Sequence, residues 1–307
     1  AAKNINKIHK FSGALDFPII NFFKSFFIKN TKKKSKENIA KHYDLGNEFF
    51  SLWLDKTLTY SSAIFDDTQN NLENAQINKY KKLLNLIKPK TGDSILEIGC
   101  GWGGFGEFIG KNYNVKMDCI TISKKQYDFA KKRIYKNGLN EKVNIQMLDY
   151  RDVYKKYNSI ASIEMIEAVG KNYLPGYFKK IRESLNQNGI AAIQAITIDD
   201  KIYDRYKLKT DFIQKYIFPG GFLPSKKEIL KLSNKNGLNF DKCNSYGLDY
   251  SNTLRIWRND FQKKWDTISK QGFDETFRRM WNFYLSYCEA GFKAKNIDLI
   301  QFSMNKY

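Results

Sequence analysis

From residue 76 onward, polar and apolar positions fall into two alternating periods. Ile77, Tyr80, Leu83, Leu84 and Ile87 recur at three-to-four spacing, which predicts an amphipathic helix over 76–88. Ser94-Ile95-Leu96-Glu97-Ile98 is a short apolar run that stops at glycine, which predicts a buried strand. The alternation continues with a helix over 105–112, a strand over 115–122, a helix over 124–137, strands over 144–148 and 160–163, a helix near 173–186 and a strand over 190–197. This predicts an α/β fold, a doubly wound sheet of parallel strands with helices on both faces. Beyond Thr197 the pattern breaks. An aromatic, charged stretch over 198–227 contains Phe218-Pro219-Gly220-Gly221, and 251–293 is helical in pattern and rich in Trp, Tyr and Arg. Near the N-terminus, Phe22, Phe23, Phe26 and Phe27 recur at roughly helical spacing between Pro18 and Lys34, with lysines between and after them. This predicts a basic amphipathic helix, able to lie on an anionic lipid surface or to pack on the main domain with its lysines in solvent. The two are compatible. No internal repeat interrupts the chain, which reads as one domain with appended helices.

Charge narrows the partners without choosing one. The 307 residues carry 52 Lys and Arg against 32 Asp and Glu, a formal +20. Nucleic acid, an anionic membrane surface and an acidic substrate all fit that balance. No run of about 18 apolar residues suggests a membrane span. The four cysteines lack paired spacing and only His9 and His42 occur, so disulfide frameworks, zinc sites and histidine triads are not expected. Without a secretory leader pattern, a cytoplasmic protein is expected.

The strongest local signal follows the first predicted strand, Glu97-Ile98-Gly99-Cys100-Gly101-Trp102-Gly103. Glycines there allow a tight turn and let a ligand approach bare backbone ahead of a helix. A dinucleotide loop would need G-x-G-x-x-G and a later acid. This loop has G-x-G-x-G with the acid before it, and resembles the S-adenosylmethionine loop of class I methyltransferases. Thr121 and Gln126 follow in order, as does Asp149-Tyr150-Arg151, where Asp149 is placed to take an adenine amino group and Tyr150 to cover the ring.

Further motifs make the resemblance narrower. His42-Tyr43-Asp44-Leu45, Leu58-Thr59-Tyr60-Ser61-Ser62, Glu164-Met165-Ile166-Glu167-Ala168-Val169-Gly170, Phe218-Pro219-Gly220-Gly221 and Phe283-Tyr284-Leu285 occur in the order found in cyclopropane fatty-acid synthases. From about residue 38 to its end the chain resembles that family, in the branch holding plant enzymes and their bacterial relatives. The resemblance implies a Rossmann-like methyltransferase domain over 76–307, with an acyl-binding insert near 198–250 and a C-terminal aromatic helix. It also implies a basic helical region over 1–75 that docks on membrane and covers the cofactor. The implied reaction is methyl transfer from S-adenosylmethionine to a double bond of an unsaturated acyl chain in a phospholipid, at the inner face of an anionic membrane. Tyr60, Ser61, Glu97, Gly99, Gly101, Gly103, Thr121, Gln126, Asp149, Tyr150 and Arg151 would hold the cofactor. A bound bicarbonate would serve as base, held by Ser62, Glu167, Gln194 and Tyr284, with Ser62 in place of the family's Cys and Gln194 in place of its His. Ser62 would donate through its hydroxyl and Gln194 through its amide. A Glu164–Glu167 pair capping the following helix is the structural alternative for those carboxylates. A methyl- or methylene-branched product is the chemical alternative, and a homo-oligomer is compatible. Plant alkaloid N-methyltransferases share the scaffold but carry a His where Ala168 stands. Nucleic-acid methylation lacks its base-gripping motif here, so no nucleic-acid partner is expected.

Overall fold

The computed structural model describes residues 30–32, 34–35, 45–66 and 71–306. The expected basic helix over 18–34, apart from its last few positions, and the His42-Tyr43-Asp44 motif lie outside the described residues. Strands β1 (Ser94–Ile98), β2 (Lys116–Thr121), β3 (Val143–Met147), β4 (Tyr157–Ile163), β5 (Leu185–Ile198), β6 (Leu238–Ser245) and β7 (Ile297–Lys306) form one sheet in the order β3-β2-β1-β4-β5-β7-β6. The first five are parallel, as expected. Two strands that the sequence pattern does not predict make the sheet as a whole mixed: β7 runs antiparallel to both β5 and β6.

Ten α-helices are described: α1 (Asn47–Ser51), α2 (Leu72–Ile87), α3 (Gly104–Asn112), α4 (Lys124–Lys136), α5 (Leu174–Ser184), α6 (Asp200–Tyr206), α7 (Lys226–Lys235), α8 (Gly247–Lys263), α9 (Trp265–Ser269) and α10 (Glu275–Lys293). Adjacent strand residues point to opposite faces of a sheet, so Ile95, Ala161 and Ala192 pack with α2, α3 and α4. Their neighbours Leu96, Ile160 and Ala191 pack with α5 and α7. A third core is mostly aromatic. Phe49, Phe50, Trp53, Trp257, Phe261, Trp281 and Tyr284 gather there, joined to the sheet side by Trp102 and Leu299.

Local chemistry sets the helix ends. The Asn71 side chain accepts the Asn74 N–H to start α2, and Ser123 accepts the Gln126 N–H to start α4. On α2 the buried face runs through Ala75, Gln76, Lys79, Tyr80, Leu83 and Ile87. Two of those core positions are polar, which an ordinary packing face would not contain. β1 lies between β2 and β4, so the strand order reverses beside it. In open α/β sheets the crevice beyond the strand ends at that switch point is where ligands bind.

Candidate active site

A cavity of about 910 Å³ opens at that switch point. The glycine loop forms one part of its wall. Gly99, at φ +84°, would bring a Cβ to 2.7 Å from Met165 Cγ, so only glycine fits. The N–H groups of Gly99 and Cys100 both donate to Ile120 O at 3.0 Å, tying the loop to β2. Gly103, at φ +80°, starts α3 so close to Ala130 that a Cβ would meet it at 3.0 Å. Gly101 also has positive φ. Beneath the loop, burial pushes the Glu97 carboxyl up to about 7, and its Oε2 has no hydrogen-bond partner. The Cys119 thiol hydrogen-bonds the carboxyl, and the remaining unbonded oxygen, buried under bare backbone, suits a cationic ligand.

The other expected cofactor positions gather at this end. Thr121 donates its hydroxyl to Gln126 Oε1 at 2.9 Å, and both line the cavity. Burial works to raise Asp149, but Arg151, bonded through Nε at 2.8 Å and Nη2 at 2.6 Å, holds it below the usual carboxylate range. Tyr150 and Arg151 also line the wall. Arg151 Nη1 donates to Asn30 O at 3.0 Å. The Asn30 amide donates to the carbonyls of Ala168, Val169 and Gly220 at 3.1, 3.2 and 2.9 Å. One asparagine near the N-terminus thus clasps the Glu167 turn to the Pro-Gly-Gly segment. Tyr60 lies against Phe50 and Trp257, with ring centroids at 5.1 and 5.3 Å, and its hydroxyl meets that of Tyr284 at 2.9 Å. Ser61 accepts from Lys79 Nζ at 2.8 Å.

The carboxylates depart most from expectation. Glu164, at the end of β4, accepts the Ser62 backbone N–H at 2.8 Å and the Gln194 amide at 2.7 Å on Oε1, and the Tyr250 hydroxyl at 2.6 Å on Oε2. Gln301 donates to Gln194 Oε1 at 2.9 Å, which fixes the Gln194 amide with its N–H toward Glu164. The Ser62 hydroxyl donates to Ala63 O instead, so only its backbone serves the site. Behind this cluster Lys79 is fully buried, with Nζ on Gln76 Oε1 at 2.5 Å, and burial lowers its pKa. Glu164 also sits at φ +50°, a left-handed conformation that costs a non-glycine residue roughly 1 kcal/mol or more. Such strain persists where surrounding structure holds it for a purpose.

Two of the four groups expected to hold bicarbonate, Ser62 and Gln194, are therefore engaged by a side chain of the protein itself. The residues present do not fit an external anion at that point. Glu164 does not serve as a helix cap; it joins segments distant in sequence. Glu167 Oε1 accepts the Ile196 N–H at 2.5 Å, while its buried Oε2 has no partner. Burial first, then the charge of Glu164, push the Glu167 carboxyl up to about 8. Sequence reasoning missed Tyr250 and Lys79. Lys79 had a signal, a charged residue on the apolar face of a predicted helix; Tyr250 had none.

The far wall comes from the segment after β5. Ile202, Tyr206, Phe218 and Phe222 line it, and a π-helical turn at Ile213–Ile217 adds Ile213. The Tyr206 hydroxyl accepts the Leu223 N–H at 3.1 Å, and Phe222 N–H donates to Glu167 O at 2.8 Å. Tyr216, within the 198–250 segment from which the resemblance implies an acyl-binding insert, does not line the cavity and is 53% exposed. The Glu164–Glu167 turn thus touches the glycine loop through Met165 and the aromatic wall through Phe222.

Among the described residues no cluster of His, Cys, Asp and Glu suits a metal ion. The family model described as mycolic acid cyclopropane synthetase matches residues 30–302. A tuberculostearic acid methyltransferase, UfaA1, of Mycobacterium tuberculosis is 37% identical over 296 residues, covering 94% of this chain and 69% of that protein. A cyclopropane-fatty-acyl-phospholipid synthase of Escherichia coli is 37% identical over 276 residues, covering 90% of this chain and 69% of its own. The mycolic acid cyclopropane synthase CmaA1, solved in complex with SAH and CTAB, superposes with a TM-score of 0.83 at 26% identity, over 88% of this chain and 98% of that one. The loop, cavity and carboxyl pair described above thus belong to a chain of the mycolic acid cyclopropane synthetase family, an S-adenosylmethionine-dependent methyltransferase.

Proposed function

We propose that this chain methylates the double bond of an unsaturated fatty acyl chain in a membrane phospholipid and closes a cyclopropane ring. The observation that carries this reading is one cavity in which a glycine-loop end and an apolar aromatic end meet at a turn bearing two carboxyl groups. The cradle at Gly99 and the unbonded Oε2 of Glu97 fit S-adenosylmethionine. When bound, that cofactor supplies an electrophilic sulfonium methyl. Gly99 and Gly101 present backbone to it, with Tyr60, Ser61, Glu97, Thr121, Gln126, Asp149, Tyr150 and Arg151 around it, while Gly103, expected among them, packs on Ala130 instead and lets α3 start close by. An alkene is a weak nucleophile, so alignment in a water-poor pocket must supply much of the rate. The rings of Tyr284 and Phe218, with centroids 6.0 Å apart and packed edge to face, both line the cavity, where aromatic π density can stabilise a carbocation. The segment near 198–250 forms the acyl wall, and Asn30, Tyr60 and Ser61 close the cofactor end from the N-terminal side.

Relatives named for a phospholipid substrate and a +20 chain support docking on an anionic membrane from the cytoplasmic side. Leu208, Tyr216, Phe283 and Tyr287 are exposed, and Phe283 and Tyr287 also line the cavity. Lys207 lies over Tyr203 and Lys215 over Tyr216. No helix among the described residues is long and apolar enough to cross a membrane. Lys32, from the basic segment, pairs with Asp152 and so faces the domain. Removing the exposed side chains together (Leu208→Ser, Tyr216→Ser, Phe283→Ser) should therefore weaken co-sedimentation with anionic vesicles about tenfold or more. Unchanged binding would move the docking face elsewhere.

Two further measurements bear on the site. Mass spectrometry of lipids from expressing cells should show acyl chains gaining one CH₂; a gain of CH₄ would indicate the saturated methyl branch suggested by the UfaA1 relative, and unchanged lipids would reject the reading. Calorimetry should show proton release on binding. Free Glu167 stays neutral up to about pH 8, and a nearby sulfonium favours its ionised form, so binding near pH 7 expels a proton. Affinity for S-adenosylmethionine should accordingly rise between pH 7 and 8. Identical binding heats in buffers of different ionisation enthalpy would remove Glu167 from the neighbourhood of the methyl.

A further inference from the structure

We propose that Glu164 is the base of the ring-closing step, a carboxylate built into the chain at the point where the resemblance placed an external anion. The inference rests on the alkene-methylation reading above. Four observations support it. The Glu164 carboxylate borders the cavity and takes a donor from each of two residues expected to hold the anion, the backbone N–H of Ser62 and the amide of Gln194. Its second oxygen has a single hydrogen bond, from Tyr250, leaving a lone pair for a proton. Gln301 presets the Gln194 amide so that a donor, not an acceptor, meets the carboxylate. Its backbone holds a glutamate in a conformation that glycine would adopt freely, so the side chain is kept against local preference.

The neighbouring carboxyl completes the assignment. Glu164 has three donors and Glu167 has one, so of the two it is Glu164 that holds negative charge more easily. In the first step the alkene π pair forms a carbon–carbon bond to the sulfonium methyl. The carbon–sulfur pair stays on sulfur, and the neighbouring alkene carbon becomes cationic. A C–H pair of the added methyl then forms the third ring bond to that carbon, and its proton passes to Glu164 Oε2. One carboxylate becomes a carboxylic acid and nothing is oxidised or reduced. The proton leaves for water when products depart.

The test uses the full chain, S-adenosylmethionine and vesicles of unsaturated phosphatidylglycerol, in buffer stripped of carbon dioxide, with and without added bicarbonate. Bicarbonate is expected to change the initial rate of the unsubstituted enzyme by less than about twofold, and Glu164→Gln to lower kcat about 100-fold or more with little change in the KM for S-adenosylmethionine. Glu164→Gly relieves the left-handed strain and so preserves the fold. It should be as slow as Glu164→Gln in stripped buffer and recover about tenfold or more with bicarbonate, which can then enter the vacated place. Bicarbonate dependence of the unsubstituted enzyme would overturn the proposal. So would a Glu164→Gln variant within tenfold of full activity, or a Glu164→Gly variant indifferent to the anion. Failure of the unsubstituted enzyme to methylate any lipid, with or without bicarbonate, would instead defeat the alkene reading itself.

Discussion

Gly99→Val is expected to weaken S-adenosylmethionine binding by about 100-fold or more while leaving a folded protein. Two costs combine. A β-branched residue at φ +84° is forced into the left-handed region, worth roughly 1–2 kcal/mol. Its Cβ would also stand 2.7 Å from Met165 Cγ and 3.0 Å from Met165 Cβ, so the loop or the Glu164–Glu167 turn must move. Either movement breaks the paired N–H contacts to Ile120 O that hold the loop on β2. At about 1.4 kcal/mol per factor of ten, the strain and the displaced loop together reach that loss. Titration calorimetry beside circular dichroism separates binding from folding. A dissociation constant within threefold of the original would show that the loop backbone does not carry the cofactor.

Trp257→Ala should cost about 3–5 kcal/mol of stability, a melting-temperature fall on the order of 10 °C. Trp257 is fully buried and its ring meets Trp53 at 5.8 Å, Tyr60 at 5.3 Å and Tyr250 at 6.2 Å. Two of those neighbours touch the site, so activity should fall further than the folded fraction does. Trp257→Phe is the control. It keeps most of the packing and removes an indole N–H that has no hydrogen-bond partner, so its cost should stay below about 1.5 kcal/mol. Similar melting points for the two variants would mean that the aromatic core has collapsed around the cavity without penalty.

What could be read from sequence follows from how locally each feature is encoded. Strands β1, β2 and β4 announce themselves through buried apolar residues just before a turn and β3 through alternation of apolar and polar positions, and the glycine loop is legible within seven residues. The helix over 76–88 was legible too, although Asn71 caps it earlier. β6 and β7 were not. β6 is a largely exposed edge strand whose polar residues look like loop. β7 carries Gln301 and Ser303 at buried positions, where their hydrogen bonds to Gln194 and Lys242 substitute for apolar packing. The candidate site divides in the same way. Cofactor positions lie at strand ends and keep sequence order. Around Glu164, by contrast, Ser62, Gln194 and Tyr250 come from segments 102, 30 and 86 residues away. Periodicity carries no information about which of two nearby glutamates such segments will converge on.

The position of β7 has a consequence for the order in which the enzyme comes into being. This strand follows every other described element in the chain, yet it lies inside the sheet between β5 and β6 and carries Gln301, which orients the amide facing Glu164. A nascent polypeptide therefore possesses its glycine loop and both carboxyl groups well before the hydrogen bond that aligns them can form. Until β7 inserts, β5 presents a bare edge and Gln194 is free to turn. Alignment of the catalytic groups therefore waits for β7, and a nascent chain that has not yet made this strand has no aligned site with which to consume its cofactor.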